Sequence, residues 1–78
     1  MKILSIRDSG QGPRFIKAFT LETVDNAKNC EIKFLILVRQ LLFSADLNAK
    51  GNVLYLNTPN QKATTDIGEI LRKAIEAL

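Results

Sequence analysis

Three stretches of the chain have β-strand character. The first alternates polar and apolar residues, the second is rich in β-branched and aromatic residues, and the third lies between turn residues and Pro59. They are residues 2–7 (KILSIR), 14–24 (RFIKAFTLETV) and 52–58 (NVLYLNT). In the second stretch Phe15, Phe19 and Leu21 fall on one face. Residues 8–13 (DSGQGP) carry two glycines and a proline, which are typical of a loop. We therefore predict a β-hairpin from the first two stretches and a further strand at 52–58.

The C-terminal segment, 66–78 (DIGEILRKAIEAL), has a helical pattern instead. Its apolar residues recur at helical spacing and form a single stripe: Ile67, Ile70, Leu71, Ala74, Ile75 and Leu78. Asp66 and Glu69 have the spacing of a capping box, which predicts that the helix begins at Asp66.

The middle segment, 31–47 (EIKFLILVRQLLFSADL), fits two structures. Wound as a helix, it has one broad apolar stripe and a second stripe on another face. The second stripe consists of Ile32, Ile36, Phe43 and Leu47. Read as a strand over 30–38, it would continue into a hairpin in which FSADLN pairs with VLYLNT across AKGN. The apolar pattern is longer than most strands, which favours a helix capped by Asp25, Asn26 or Asn29.

The preferred order is therefore β-β-α-β-α within a single domain, residues 1–78. It predicts an α+β fold, a two-layer sandwich in which a three-stranded, mainly antiparallel sheet carries two helices on one face. The alternative is a four- or five-stranded antiparallel meander with one C-terminal helix. Either arrangement occurs in many unrelated proteins, so the fold alone does not indicate a function.

Composition narrows the class of protein. Of 78 residues, 46% are hydrophobic and 24% charged, as in ordinary globular domains. The apolar run at the start is too short for a secretory signal, and the middle segment is too short and too interrupted to span a membrane. Only one cysteine is present, so no disulfide can form within the chain. We expect a cytoplasmic protein without membrane contact.

Candidate catalytic chemistry is sparse. The sequence has no histidine, which is the usual general base near neutral pH and the commonest metal ligand. Cys30 is expected to be a small buried apolar residue, and the acidic residues are dispersed. We therefore expect no catalytic residues, no metal site and no cofactor, and we interpret the chain as a non-enzyme.

A nucleic-acid-binding module is the alternative function. The net charge is +3, and Arg7, Arg14 and Lys17 cluster around the N-terminal hairpin, where they would contact phosphates. The glycine loop between the first two arginines matches neither the P-loop nor the dinucleotide fingerprint, so we interpret it as a hairpin connection. Tyr55 is assigned to the core together with Phe15 and Phe19.

The favoured function follows from surplus apolar surface. A three-stranded sheet can cover only one of the two stripes in the middle segment, and an exposed apolar patch usually marks an interface. We therefore predict a small protein-binding module, of the kind found among phage and bacterial accessory proteins, whose partner is another protein or a second copy in a homodimer. The predicted contact residues are Ile32, Ile36, Phe43 and Leu47, unless the C-terminal helix covers them.

Overall fold

A computed structural model describes residues 1–10 and 12–78 and shows an α+β fold with two helices on one side of an antiparallel sheet. The elements in chain order are β1 (Ile3–Ser9), β2 (Phe15–Leu21), α1 (Val24–Leu41), β3 (Asp46–Lys50), β4 (Val53–Thr58) and α2 (Gln61–Glu76). The sheet has four strands in the order β1-β2-β4-β3. The predicted class is confirmed, while the strand count is that of the alternative prediction.

The N-terminal hairpin is confirmed by the pairing of β1 with β2. Ile6 lies opposite Phe19, and Asp8 lies opposite Lys17. Gly10 follows directly after β1 and has a backbone φ of +109°, a value that residues other than glycine rarely adopt. A Cβ atom at Gly10 would also lie 2.9 Å from the backbone nitrogen of Ile16. A glycine is therefore required where the chain leaves this strand.

Helix α1 begins earlier than the sequence pattern predicted. Its N-cap is Thr23, whose hydroxyl accepts a hydrogen bond from the backbone N–H of Asn26 at 3.0 Å. Strand β2 accordingly ends at Leu21, and none of the three predicted caps holds that position. Ala27, Cys30 and Val38 are buried at helical spacing, so α1 forms because one of its faces packs on the sheet.

The helix stops at Leu41, and the end of the apolar segment becomes strand β3. The N–H of Leu42 donates to the carbonyl of Val38, and the carbonyl of Leu42 accepts from Ala45 N–H, which reverses the chain. A two-residue turn then joins β3 to β4, with Gly51 at φ +59° in its first position. The segment is thus a helix followed by one strand of a hairpin, and each of the two interpretations was right for one half.

Helix α2 also begins upstream of its predicted cap. The side chain of Asn60 accepts a hydrogen bond from Ala63 N–H at 2.7 Å, so Asn60 is the N-cap. Asp66 lies one turn inside the helix, where its carboxylate binds the Lys62 ammonium at 2.6 Å. The predicted start of the helix at Asp66 was wrong, because residues 61–65 are also helical.

The core lies between the helices and one face of the sheet. Phe19 and Leu21 from β2 and Leu54 and Leu56 from β4 are fully buried there. At one end of this layer the hydroxyls of Thr58 and Thr64 lie 2.6 Å apart and are buried, so the polar groups satisfy one another.

The other face of the sheet is covered by neither helix. Strand pairing places its outward positions in three rows across the sheet. The rows are Ser9, Ile16, Asn57 and Asp46; then Arg7, Ala18, Tyr55 and Asn48; then Ser5, Thr20, Val53 and Lys50. We call these positions the outer sheet face.

Helix α2 approaches β2 closely at Gly68. A Cβ atom there would lie 2.6 Å from Cδ and 2.7 Å from Cε of Lys17. The aliphatic part of Lys17 therefore lies under α2, and its ammonium reaches the edge of the layer to bind Asp8 at 2.7 Å.

We expect Gly68→Ala to act on stability through Lys17. Alanine in a helix interior is favoured over glycine by about 1 kcal/mol, but here the new methyl group would collide with the Lys17 side chain. The substitution should therefore stabilise the protein more in a Lys17→Ala background than in the wild type. Urea unfolding of the four members of this double-mutant cycle measures the coupling, and zero coupling would contradict the contact.

Candidate functional site

The outer side of α1 carries large apolar side chains that no other part of the fold covers. Ile32 is 72% exposed and Ile36 is 68% exposed. They lie one helical turn apart, on the side away from buried Ala27 and Cys30. Helix α2 packs beside α1 without reaching them, so the interpretation in which the C-terminal helix covers this stripe is excluded.

Phe43 is a further exposed apolar side chain, just beyond the end of the helix. It is 93% exposed, although the residues on both sides of its turn, Leu42 and Ala45, pack against or within the core. The tight turn that ends α1 therefore holds the phenyl ring outward. A cleft of about 400 Å³ beside the ring is lined by Arg14, Arg39, Ser44 and Asp46 as well.

Leu47 does not belong to this surface. It lies on the helix-facing side of β3, opposite Leu56, and is only 2% exposed. The prediction that Leu47 is a contact residue was wrong. It assumed that the helix continues through residue 47, whereas the chain turns at 42–45. Strand geometry then directs Leu47 into the core.

Val24 is an exposed apolar residue that the sequence analysis did not select. It is the first residue of α1 and is 52% exposed. The pattern assigned it to the end of a strand, and the signal that would have placed it in the helix is the N-cap preference of Thr23. Val24, Ile32, Ile36 and Phe43 together are called the α1 surface below.

The charged residues near the α1 surface differ in how far they are engaged. Glu31 accepts a hydrogen bond from the backbone N–H of Ala49 at 2.8 Å, and Arg39 binds Asp46 at 3.0 Å. Lys28 and Lys33 are exposed, and the structure shows no ion pair for either among the described residues. Asp25, in the first turn of α1, is also exposed and has no ion pair among these residues, so the free charges beside the apolar side chains are two ammonium groups and one carboxylate.

The three basic residues predicted for nucleic-acid binding do not form one site. Arg7 is on the outer sheet face, whereas Lys17 is on the helix-facing side and bound to Asp8. Arg14 donates from Nη2 to the carbonyls of Ser44, at 3.0 Å, and Asn57, at 3.2 Å. Strand alternation separates the side chains, so the N-terminal hairpin presents no joint phosphate site from these residues.

The glycine loop follows strand β1, and Cys30 lies in the core. Asp8 and Ser9 are part of β1, and the loop includes residue 11, which lies outside the described residues. Cys30 is fully buried, and desolvation raises the pKa of its thiol, which keeps it protonated near neutral pH. Its Sγ lies 3.6 Å from Sδ of Met1. In residues 1–10 and 12–78, no group of three or more Cys, Asp or Glu side chains is placed to hold a metal ion.

No family model, curated protein or solved structure matches this chain. Within the part of the chain that the structure describes, neither helix is long and apolar enough to cross a membrane.

The stability of two alanine variants distinguishes core from surface in the apolar segment. Leu47→Ala should lower the free energy of unfolding by about 2–5 kcal/mol, because it leaves a cavity between β3 and the helices. Ile36→Ala should change it by less than about 0.5 kcal/mol, because the side chain is already hydrated. Denaturant unfolding measures both. Equal losses in the two variants would contradict the assigned burial.

Proposed function

We propose that this chain is a non-enzymatic protein-binding module, and that its partner is a second copy of the same chain docked through the α1 surface. The observation that carries the proposal is the exposure of Ile32, Ile36 and Phe43, at 72%, 68% and 93%. Several large apolar side chains left in water on one side of a small protein commonly mark a binding surface.

The positions of the apolar residues suit a twofold symmetric contact. Val24 and Phe43 lie on opposite sides of the midpoint between Ile32 and Ile36, at nearly equal distances along the chain. If two α1 helices pack antiparallel about this midpoint, Ile32 meets Ile36 of the second copy. Val24 and Phe43 then lie at the level of the two ends of the contact. Such a self-complementary patch is what an isologous dimer requires.

The charged residues of α1 are compatible with the same antiparallel pairing of two α1 helices. Lys28 and Gln40 are equally far from the midpoint of α1, as are Asn29 and Arg39. Lys28 and Arg39 therefore each lie opposite an uncharged amide of the second copy. Lys33 is at the level of Leu35, Asp25 is at the level of Phe43, and no two like charges are brought face to face. This matters because directly opposed like charges would weaken the association.

The non-enzymatic part of the proposal is supported by what the acidic groups do. Asp8 binds Lys17, Asp66 binds Lys62, and Arg72 bridges Glu69 and Glu76. The hydrogen bond from Arg72 lowers the pKa of Glu69, which disfavours a role as a proton donor near neutral pH. These carboxylates act in ion pairs of the folded chain.

We expect a weak, concentration-dependent dimer. Burying each large apolar side chain contributes roughly 1.5–3 kcal/mol, while association itself costs several kcal/mol. Sedimentation velocity from micromolar to millimolar concentration should show the sedimentation coefficient of the wild type rising. Ile36→Glu should remain monomeric, because it places two carboxylates in the contact.

The matched control is Ile70→Glu. Ile70 is 45% exposed on α2, so this variant introduces the same charge on the other helix. It should dimerise as the wild type does, and circular dichroism should show all three proteins folded. A wild type that stays monomeric at millimolar concentration, or equal dimerisation by Ile36→Glu, would refute the second copy as the partner.

A further inference from the structure

The outer sheet face carries a tyrosine, Tyr55, with a cleft beside it, and this region is separate from the α1 surface. Tyr55 is at its centre, since β4 is an interior strand. Its cross-strand neighbours are Ala18 on β2 and Asn48 on β3. The sequence analysis grouped Tyr55 with Phe15 and Phe19, but strand pairing places both phenylalanines on the helix-facing side. Tyr55 is thus an aromatic ring on a face that neither helix covers.

The surroundings of Tyr55 suit a planar ligand with a negative charge. A cleft of about 330 Å³ is lined by Tyr55, Ile16, Asn48, Asn57 and Lys50. The cleft therefore combines an aromatic and an aliphatic wall, amide groups that donate and accept hydrogen bonds, and one ammonium group.

Positive charge lies on both sides of the ring. Lys50 is on β3, in the row of the outer sheet face next to that of Tyr55. Arg7 lies in the same row as Tyr55 but two strands away, at roughly 10 Å by strand spacing. Both side chains belong to exposed residues, and no ion pair to either appears among the described residues. The one carboxylate in the three rows is Asp46, which is bound to Arg39.

We propose that the outer sheet face binds single-stranded nucleic acid. One base stacks on Tyr55, the side chain of Asn48 hydrogen-bonds to the edge of that base, and Lys50 and Arg7 contact phosphates on either side. The strand must be single, because a base held in a duplex cannot expose its face to a tyrosine ring. This assignment replaces the cluster of Arg7, Arg14 and Lys17, which the fold disperses.

Tyrosine fluorescence offers a direct test, because the chain contains one tyrosine and no tryptophan. Titration at low salt with oligothymidylate or oligouridylate about ten nucleotides long should quench the emission as a base stacks on Tyr55. With two phosphate contacts, the logarithm of the binding constant should fall by about 1.4 per tenfold increase in salt. Absence of quenching and binding, or binding of duplex DNA alone, overturns the proposal.

Variants separate stacking from non-specific charge attraction, with anisotropy of a labelled oligonucleotide as the readout. Tyr55→Phe should bind within about twofold of the wild type, and Tyr55→Ala should bind about tenfold or more weakly. Lys50→Gln should reduce the salt slope by about 0.7. Lys73→Gln, on the exposed side of α2, removes the same charge from the opposite layer and should have little effect.

Circular dichroism of each variant confirms that it is folded before binding is compared. If Tyr55→Ala does not fold, quenching of the single tyrosine in the wild type and the comparison of Lys50→Gln with Lys73→Gln still decide the question. Equal losses in Lys50→Gln and Lys73→Gln would show that only net charge matters, and would overturn the proposed site.

Discussion

The burial of one face of the sheet determines the rest of this molecule. Phe19 and Leu54 are fully excluded from water because both helices lie on their side of the four strands. A chain of 78 residues has enough helix to cover that face once. The outer sheet face and the outer side of α1 are therefore left to the solvent, whatever their composition. Both uncovered surfaces are therefore accessible to a partner.

The two surfaces differ in chemistry and lie on opposite layers. The α1 surface consists of exposed aliphatic and aromatic side chains, and it suits another apolar protein surface. The outer sheet face mixes Tyr55 with amides and cations, and it suits a planar, anionic ligand. Because the sheet and α1 separate them, occupation of one does not obstruct the other. Dimerisation through α1 would leave two sheet faces exposed on the outside of the dimer.

Side-chain contacts between the layers also protect the fold from unwanted pairing. Strand β3 is at the edge of the sheet, where free backbone groups can recruit another strand. The Glu31 carboxylate accepts the hydrogen bond of Ala49 N–H, so the first half of α1 blocks part of that edge. Lys17 also makes contacts between the layers, since its aliphatic part packs under α2 and its ammonium group binds Asp8. Several charged residues that looked available for ligands are thus engaged in structure.

The sequence alone determined the α+β class, the N-terminal hairpin, the last strand and the identity of the second helix, because local periodicity reports which face of an element is apolar. It also selected Ile32, Ile36 and Phe43 as surplus apolar residues. Local periodicity cannot report where a helix yields to a strand inside a continuous apolar run, so the turn after Leu41 and the burial of Leu47 depended on pairing with β4. Nor can it show which face of a strand the helices cover. Only the packing of both helices against Phe19 decided that Tyr55 faces outward.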